Sequence, residues 1–324
     1  MTNLPVTMES DRYLGWDAWR IQRGSLELVL VPQVGGRIVR LACEGEDLIF
    51  TLPEFHGRVE SVATVGDVHT AKQEMGFRLW GGEKTWLAPQ THWTDGVPFL
   101  DLDSGQYALN VLSQTSECAQ LRMTSPVCRE TGMRIVRTIT VRAECDGFDI
   151  VHALHNTSTE SAEWGLWSVS QLLKPAYVYL PRRSTSSHPE GVKTFVEEGE
   201  SAQVRPHAVQ EIGKLARITC HRNTAFKFGV DATEGWLLAV CKRPGAGAIG
   251  YLTTYAVASD QPYAHGCSAE VYNSDRLPYF EAEVHSPLRL LAPGRHTTFR
   301  ERRRLFPLST LPQTEMEVRA LMED

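Results

Sequence analysis

From residue 13 to residue 306 the chain keeps returning to one pattern: short runs of alternating apolar and polar side chains, each stopped by glycine, proline or a polar turn. A period of two puts successive side chains on opposite faces of a strand, so each run buries one face and pairs with its neighbours. Leu26 to Val31 stops at Pro32, Gly35-Gly36 leads into Arg37 to Cys43, and Leu48-Ile49-Phe50 follows, a β-meander with glycine corners. Tyr107 to Leu112, Ala119 to Thr124, Met133 to Ala143 and Phe148 to Asn156 continue the pattern, with Asp146-Gly147 as a hairpin turn because glycine accepts positive φ. Further runs begin at Trp164, Ile218, Phe226, Trp236, Ala248, Ala269, Tyr279 and Thr297. The total of roughly fifteen strands has the spacing of a sandwich or barrel. Residues 51–75 and 181–210 read as loops, the first long enough to reach over a face, and only Thr314 to Met322 has a helical pattern. With no linker and no fixed-period repeat, the expectation is one all-β domain over residues 1–324, its core about 13–306.

Composition narrows the function classes. Of 324 residues, 42 % are hydrophobic and 22 % charged, enough for a sizeable core without metal or disulfide support. The net charge is −6 and the basic residues are scattered, which excludes nucleic acid as the expected partner. Arg300, Arg302, Arg303 and Arg304 alone cluster, and read as a solvated face or an interface. Seven widely spaced cysteines without a CxxC pair read as buried small hydrophobes in a reducing compartment. The N-terminal residues lack a basic-then-apolar leader pattern, and no apolar run approaches the ~20 residues of a membrane span. The expected location is the cytoplasm, without a membrane partner.

Residues 76–96, GFRLWGGEKTWLAPQTHWTDG, carry the chemistry. Trp80, Trp86 and Trp93 stand close to Gly81-Gly82 and to Glu83, Lys84 and Thr85, and the glycines with Pro89 rule out a long helix. Short strand pieces joined by glycine turns would gather rings and charges. Flat aromatic faces beside fixed donors and acceptors suit a sugar. The competing reading makes the tryptophans core and Glu83 with Lys84 a solvated pair. GxSxG, HExxH and Walker motifs are missing from the sequence. His152 and His155 fall on opposite faces of one strand, so no metal is assigned and no cofactor is expected.

The order of these motifs resembles the galactose-mutarotase-like superfamily. The strand ending in Pro32 followed by GGRI (Gly35 to Ile38), the GGEKTWLAPQ segment, Asn156 followed by the strand with Trp167 and Gln171, and the ending YFEAEVHSPLRLLAPG carry the resemblance across about residues 13–306. It implies a β-supersandwich of two large antiparallel sheets with a sugar on a concave face. The chemistry it implies is aldose 1-epimerase-like: a glutamate takes the anomeric proton, a histidine protonates the ring oxygen, and the ring opens and recloses.

Glu281 and Glu283, two apart on one strand and so on one face, match the implied base; Glu270 lies on the preceding strand beside Tyr272. At the implied acid position the sequence reads GLWSVSQ, which leaves His92 as the acid candidate and His155 as its rival. Trp80, Trp93 and Trp167 are the expected stacking walls. Arg78 and Lys84 would meet an anionic or hydroxyl-rich group, and Gln90 and Gln171 would supply amide hydrogen bonds. One alternative is a carbohydrate-recognition domain that has lost the acid. The other makes the Trp-rich face a protein interface, as in a homodimer.

Overall fold

The computed structural model describes residues 3–183, 185–196, 201–221, 224–232, 234–243 and 247–323. Among them the alternation resolves into two large antiparallel sheets. The first holds twelve strands. Its main path runs Val6–Tyr13, Trp16–Arg23, Leu26–Val31, Arg37–Cys43, Glu83–Ala88, Ala162–Leu173, Tyr279–His285, Ala269–Asn273, Phe226–Val230, Val192–Thr194. The second holds ten, in the order Val209–Ile212, Leu215–Cys220, Ala176–Pro181, Trp236–Lys242, Ala248–Tyr255, His296–Leu308, Phe148–Asn156, Met133–Arg142, Cys118–Thr124, Ala108–Gln114. One apolar cluster contains buried residues of both sheets, among them Leu28, Leu166, Phe280, Ile139, Ile150 and Ile249. The short helix Glu315–Glu323 follows the last strand. Among the described residues no helix is long and apolar enough to cross a membrane.

Several local expectations change. The first sheet begins at Val6, ahead of residue 13, because Val6–Tyr13 pairs along its whole length with Trp16–Arg23 across a Leu14-Gly15 turn. Inside the expected loop 51–75 lies the helix Val68–Met75. Asp67 caps it by accepting from the amides of His69 and Thr70, and Gly76 ends it at φ 58°. Eight residues are too few to show an amphipathic period, so only these caps announce it. Residues 181–210 likewise contain the strand Val192–Thr194 and the helix Ser201–Ala208.

The GGRI motif is a packing device. At Gly35, φ is +61° and an added Cβ would lie 2.1 Å from the Asp103 carbonyl oxygen. That close approach lets Arg37 donate to Asp103 Oδ1 at 2.5 Å and to the Gly81 carbonyl at 3.0 Å, fixing the glycine pair ahead of Glu83–Ala88. Gly35→Ala is therefore expected to destabilise the protein by about 2 kcal/mol or more, from left-handed strain and backbone overlap together. A shift of the chemical-denaturation midpoint would measure it, and an unshifted midpoint would refute the packing role.

The arginine cluster near the C-terminus divides by parity. Arg302 and Arg304 pair with Asp146 at the surface, at 3.3 and 2.7 Å. Arg303, in contrast, points between the sheets and is fully buried. It donates to Ser168 Oγ (2.7 Å), to the Tyr251 hydroxyl (2.5 Å) and to Glu301, and lies 3.4 Å from Glu83. Glu83 also accepts from buried Arg137, and His152 joins Thr85 Oγ1 (2.8 Å) to Glu301 (3.1 Å). The expectation of a solvated arginine face thus fails for Arg303, whose parity with Glu301 puts both on the inner face.

Candidate functional site

The face of the first sheet turned away from the second carries the groove. Parity divides Glu83–Ala88: Glu83 and Thr85 point inward to Arg137 and His152, while Lys84 and Trp86 point outward. Both Glu83 and Lys84 are buried, so neither belongs to a solvated pair. Pairing then lines up outward residues across neighbouring strands. One row reads Gln171, Glu281, Tyr272, Lys227; the next reads Val169, Glu283, Glu270, Gly229; a third sets Trp86 beside Trp167 and His285.

Two contiguous cavities over these rows share Gln90, Trp93, Gly96 and Lys227. Trp86, Trp167, Phe77, Tyr272, Tyr279 and Glu281 line one end; Thr91, Phe195 and His265 line the other. Trp86, Trp93 and Trp167 contact one another with ring centroids 5.1–5.7 Å apart. Their indole N–H groups are all used within the protein: Trp86 donates to Asp103 Oδ1, Trp93 to the Leu87 carbonyl, Trp167 to Glu283 Oε2. The indoles therefore offer a ligand apolar surface without donors.

Glu281 is the carboxylate that reaches the groove. Its Oε1 accepts from the Gln171 amide at 2.6 Å and lies 3.6 Å from Lys84 Nζ. Glu283, on the same face, is fully buried, accepting from Trp167 (2.7 Å) and from Lys227 (3.3 Å). Lys227 also pairs with Glu270 at 3.0 Å, and its ammonium lies 4.6 Å from the Trp167 ring centroid. The two buried carboxyls diverge. Burial holds Glu283 well above the ordinary carboxylate range, with Glu270 and Glu281 adding to the rise against the pull of Lys227. Burial would raise Glu270 too, but Lys227, His285 and hydrogen bonding from His265 outweigh it and bring it well below that range. Lys227 stays charged, because Glu270, Glu283 and Glu281 more than offset its burial.

His265 Nδ1 lies 2.9 Å from Glu270 Oε1, and its Nε2 accepts from the Gln90 backbone N–H at 3.2 Å. These contacts place the proton on Nδ1, donated to Glu270. His265, Glu270 and His285 are also a possible ligand set, since one donor atom from each lies within 4.8 Å of the others. Their surroundings do not suit a metal. A ligating imidazole normally donates its remote N–H to an acceptor. Here His265 Nε2 faces an amide donor, His285 Nδ1 has no hydrogen-bond partner, and Glu270 already faces an ammonium. The geometry is that of a hydrogen-bonded Glu–His pair.

Of the residues expected at a site, Trp93, Trp167, Gln90, Tyr272 and Glu281 line the groove. Gln171, Lys84, Glu283 and Glu270 stand directly behind that lining, holding Glu281, Trp167 or His265. Four expected candidates are elsewhere. Trp80 is buried in a separate cluster with Phe55, Val29 and Val31, its indole donating to Ser104 Oγ, so it forms no wall. Arg78 pairs with Glu60 at 3.4 Å and lies 6.0 Å from the Phe55 ring centroid. His92 is exposed and packs edge-on against Trp164; His155 stacks on His296. Phe77, Lys227, Tyr279 and His265 line the groove without having been singled out in the sequence, as does Trp86, named in the Trp-rich stretch but not as a stacking wall. Parity with Lys84 points to Trp86, and parity with Glu281 points to Tyr279, but His265 sits in a loop with no period to read.

No protein-family model matches the sequence, and no curated protein matches it. Solved structures match along most of the chain. A candidate aldose 1-epimerase from Klebsiella pneumoniae superposes with a TM-score of 0.63 at 12 % identity, covering 95 % of this chain and 82 % of that one. A galactose mutarotase-like protein from Lactobacillus casei gives 0.54 at 9 % identity, covering 89 % and 100 %. One from Clostridium acetobutylicum gives 0.51 at 10 % identity, covering 94 % and 99 %. The chain has the galactose-mutarotase-like fold.

Proposed function

We propose that the groove binds the ring of a sugar or sugar derivative and that the protein interconverts its anomers, as an aldose 1-epimerase does. The observation that carries this reading is Glu281: a carboxylate held by Gln171 and Lys84 at the floor of a groove walled by Trp86, Trp93 and Trp167. A pyranose has an apolar face for the indoles and hydroxyls for the carboxylate, for the Gln90 amide and for the Tyr272 and Tyr279 phenols.

In this mechanism Glu281 accepts the proton of the anomeric hydroxyl while the ring oxygen receives one. The C1–O5 bond breaks, C1 becomes an aldehyde carbon, and closure on its other face returns both protons. His265, in the contiguous cavity, is the acid assigned here in place of His92. Its Nδ1 is tied to the buried Glu270 carboxylate, which orients the ring, and a proton carried on Nε2 would be the one given to the ring oxygen. Structural neighbours described as epimerase or mutarotase-like support the class of reaction by fold alone.

A thermal-shift screen of aldoses, uronic acids and sugar phosphates, followed by polarimetry on each binder, tests the proposal. A sugar that raises the melting temperature and reaches its anomeric equilibrium faster with protein present supports it. Binding without acceleration would make the chain a carbohydrate-recognition domain, and no binder in the panel would remove the sugar reading.

A further inference from the structure

Lys84 is an unusual residue to find on the groove face, because its side chain is almost completely buried. Taking an ammonium out of water is costly unless partners replace the solvent. Lys84 has two: Glu281 Oε1 at 3.6 Å, and the Trp86 ring, whose centroid lies 4.2 Å from Nζ. Reaching Glu281 means spanning the whole Ala162–Leu173 strand, since Glu83–Ala88 pairs with one edge of it and Tyr279–His285 with the other. A lysine stretched across an intervening strand to one carboxylate, and capped by an aromatic wall of the groove, is a built contact.

We propose that Lys84 is a positioning residue of this site: its ammonium, seated on Trp86, holds the Glu281 carboxylate toward the groove. The inference rests on the reading of Glu281 as the base. The charged groups facing Lys84 are Glu281 and Glu283 from Tyr279–His285, Arg37 from Arg37–Cys43, and Asp103 from the helix Leu100–Asp103. Burial lowers Lys84 to about 8; Glu281, Asp103 and Glu283 resist that fall, and Arg37 adds to it. The ammonium is therefore present below about pH 8 and lost above it, leaving Glu281 with Gln171 alone on that side.

The test compares the full-length wild type with Lys84→Met and Lys84→Arg, using D-glucose and D-galactose. Polarimetric kcat and KM would be measured from about pH 6 to about pH 10, and melting temperatures recorded alongside. In the wild type kcat/KM is expected to fall above about pH 8 and to level off at the Lys84→Met value. Lys84→Met should lower kcat by roughly tenfold or more at neutral pH, change KM little, and show no alkaline fall. Lys84→Arg keeps a charge that does not titrate in this range, so it should recover activity and carry it past the wild-type limit. It also keeps the question answerable if the methionine variant does not fold. A Lys84→Met enzyme within twofold of wild type, or a Lys84→Arg enzyme that falls off at the wild-type pH, would overturn the inference while leaving the sugar reading intact. A wild type that neither binds nor turns over any sugar of the aldose, uronic acid and sugar phosphate panel would overturn both.

Discussion

Glu281→Gln is expected to slow anomer interconversion by about a hundredfold to ten-thousandfold, the range a positioned general base contributes. Sugar binding should stay within a few-fold. The substitution is nearly isosteric, and the new amide oxygen can still accept from the Gln171 amide that now donates to Glu281 at 2.6 Å. The lost capacity is that of taking a proton from the anomeric hydroxyl. Polarimetry gives the rate and calorimetry the affinity, and the two must separate. If rate and affinity fall together, Glu281 is a binding contact. If the rate is untouched, the base lies elsewhere. Glu283→Gln provides the contrast, because Glu283 is buried behind Trp167, where burial raises its carboxyl well above the ordinary range. Its loss should matter through Trp167 and Lys227, as a change in stability or binding before any change in chemistry.

Arg303→Met should give the largest stability loss of a single substitution discussed here, about 3–5 kcal/mol. The side chain is replaced by one of comparable length, so the cavity is small. The cost comes from Glu301, which loses its guanidinium partner, and from Ser168, Ser170 and Tyr251, which lose their shared one. Thermal unfolding should fall by on the order of 10 °C. The double variant Arg303→Met/Glu301→Gln should be less destabilised than the single one, since no orphaned charge remains. A single variant within about 1 kcal/mol of wild type would show that the cluster contributes little.

The same cluster fixes a pH dependence. Burial would raise Glu301, but Arg303 and His152 outweigh it and bring it to about 2, below its ordinary value of 4.5. A carboxylate with a depressed folded-state value adds stability above its unfolded value. That contribution shrinks as pH falls from about 4.5 toward about 2. Acid unfolding of the wild type should accordingly steepen in that window, and the double variant should lose part of that steepness.

Much of this protein was legible because alternation is a local property. Period two, read with the glycine and proline corners, is enough to give an all-β chain, the Asp146-Gly147 hairpin, and the shared face of Glu281 and Glu283. It also separates His152 from His155. Sequence could not say which strands become neighbours. Glu83–Ala88 lies between Arg37–Cys43 and Ala162–Leu173, and the latter pairs in turn with Tyr279–His285. Those pairings join segments separated by as many as a hundred residues or more, and they alone bring Lys84, Gln171 and Glu281 to one carboxylate. Trp80 and Trp86 look equivalent in the sequence. The positive-φ pair Gly81-Gly82 breaks the alternation between them, sending Trp80 to a separate cluster and Trp86 to the groove. Arg303 reads as one of four surface arginines until parity with Glu301 and the approach of the other sheet enclose it. His265 comes from a loop, where backbone direction follows turns and packing with no repeating period. Local sterics and side-chain period fix which side of a strand a residue faces. Only the long-range packing of the two sheets decides what it faces.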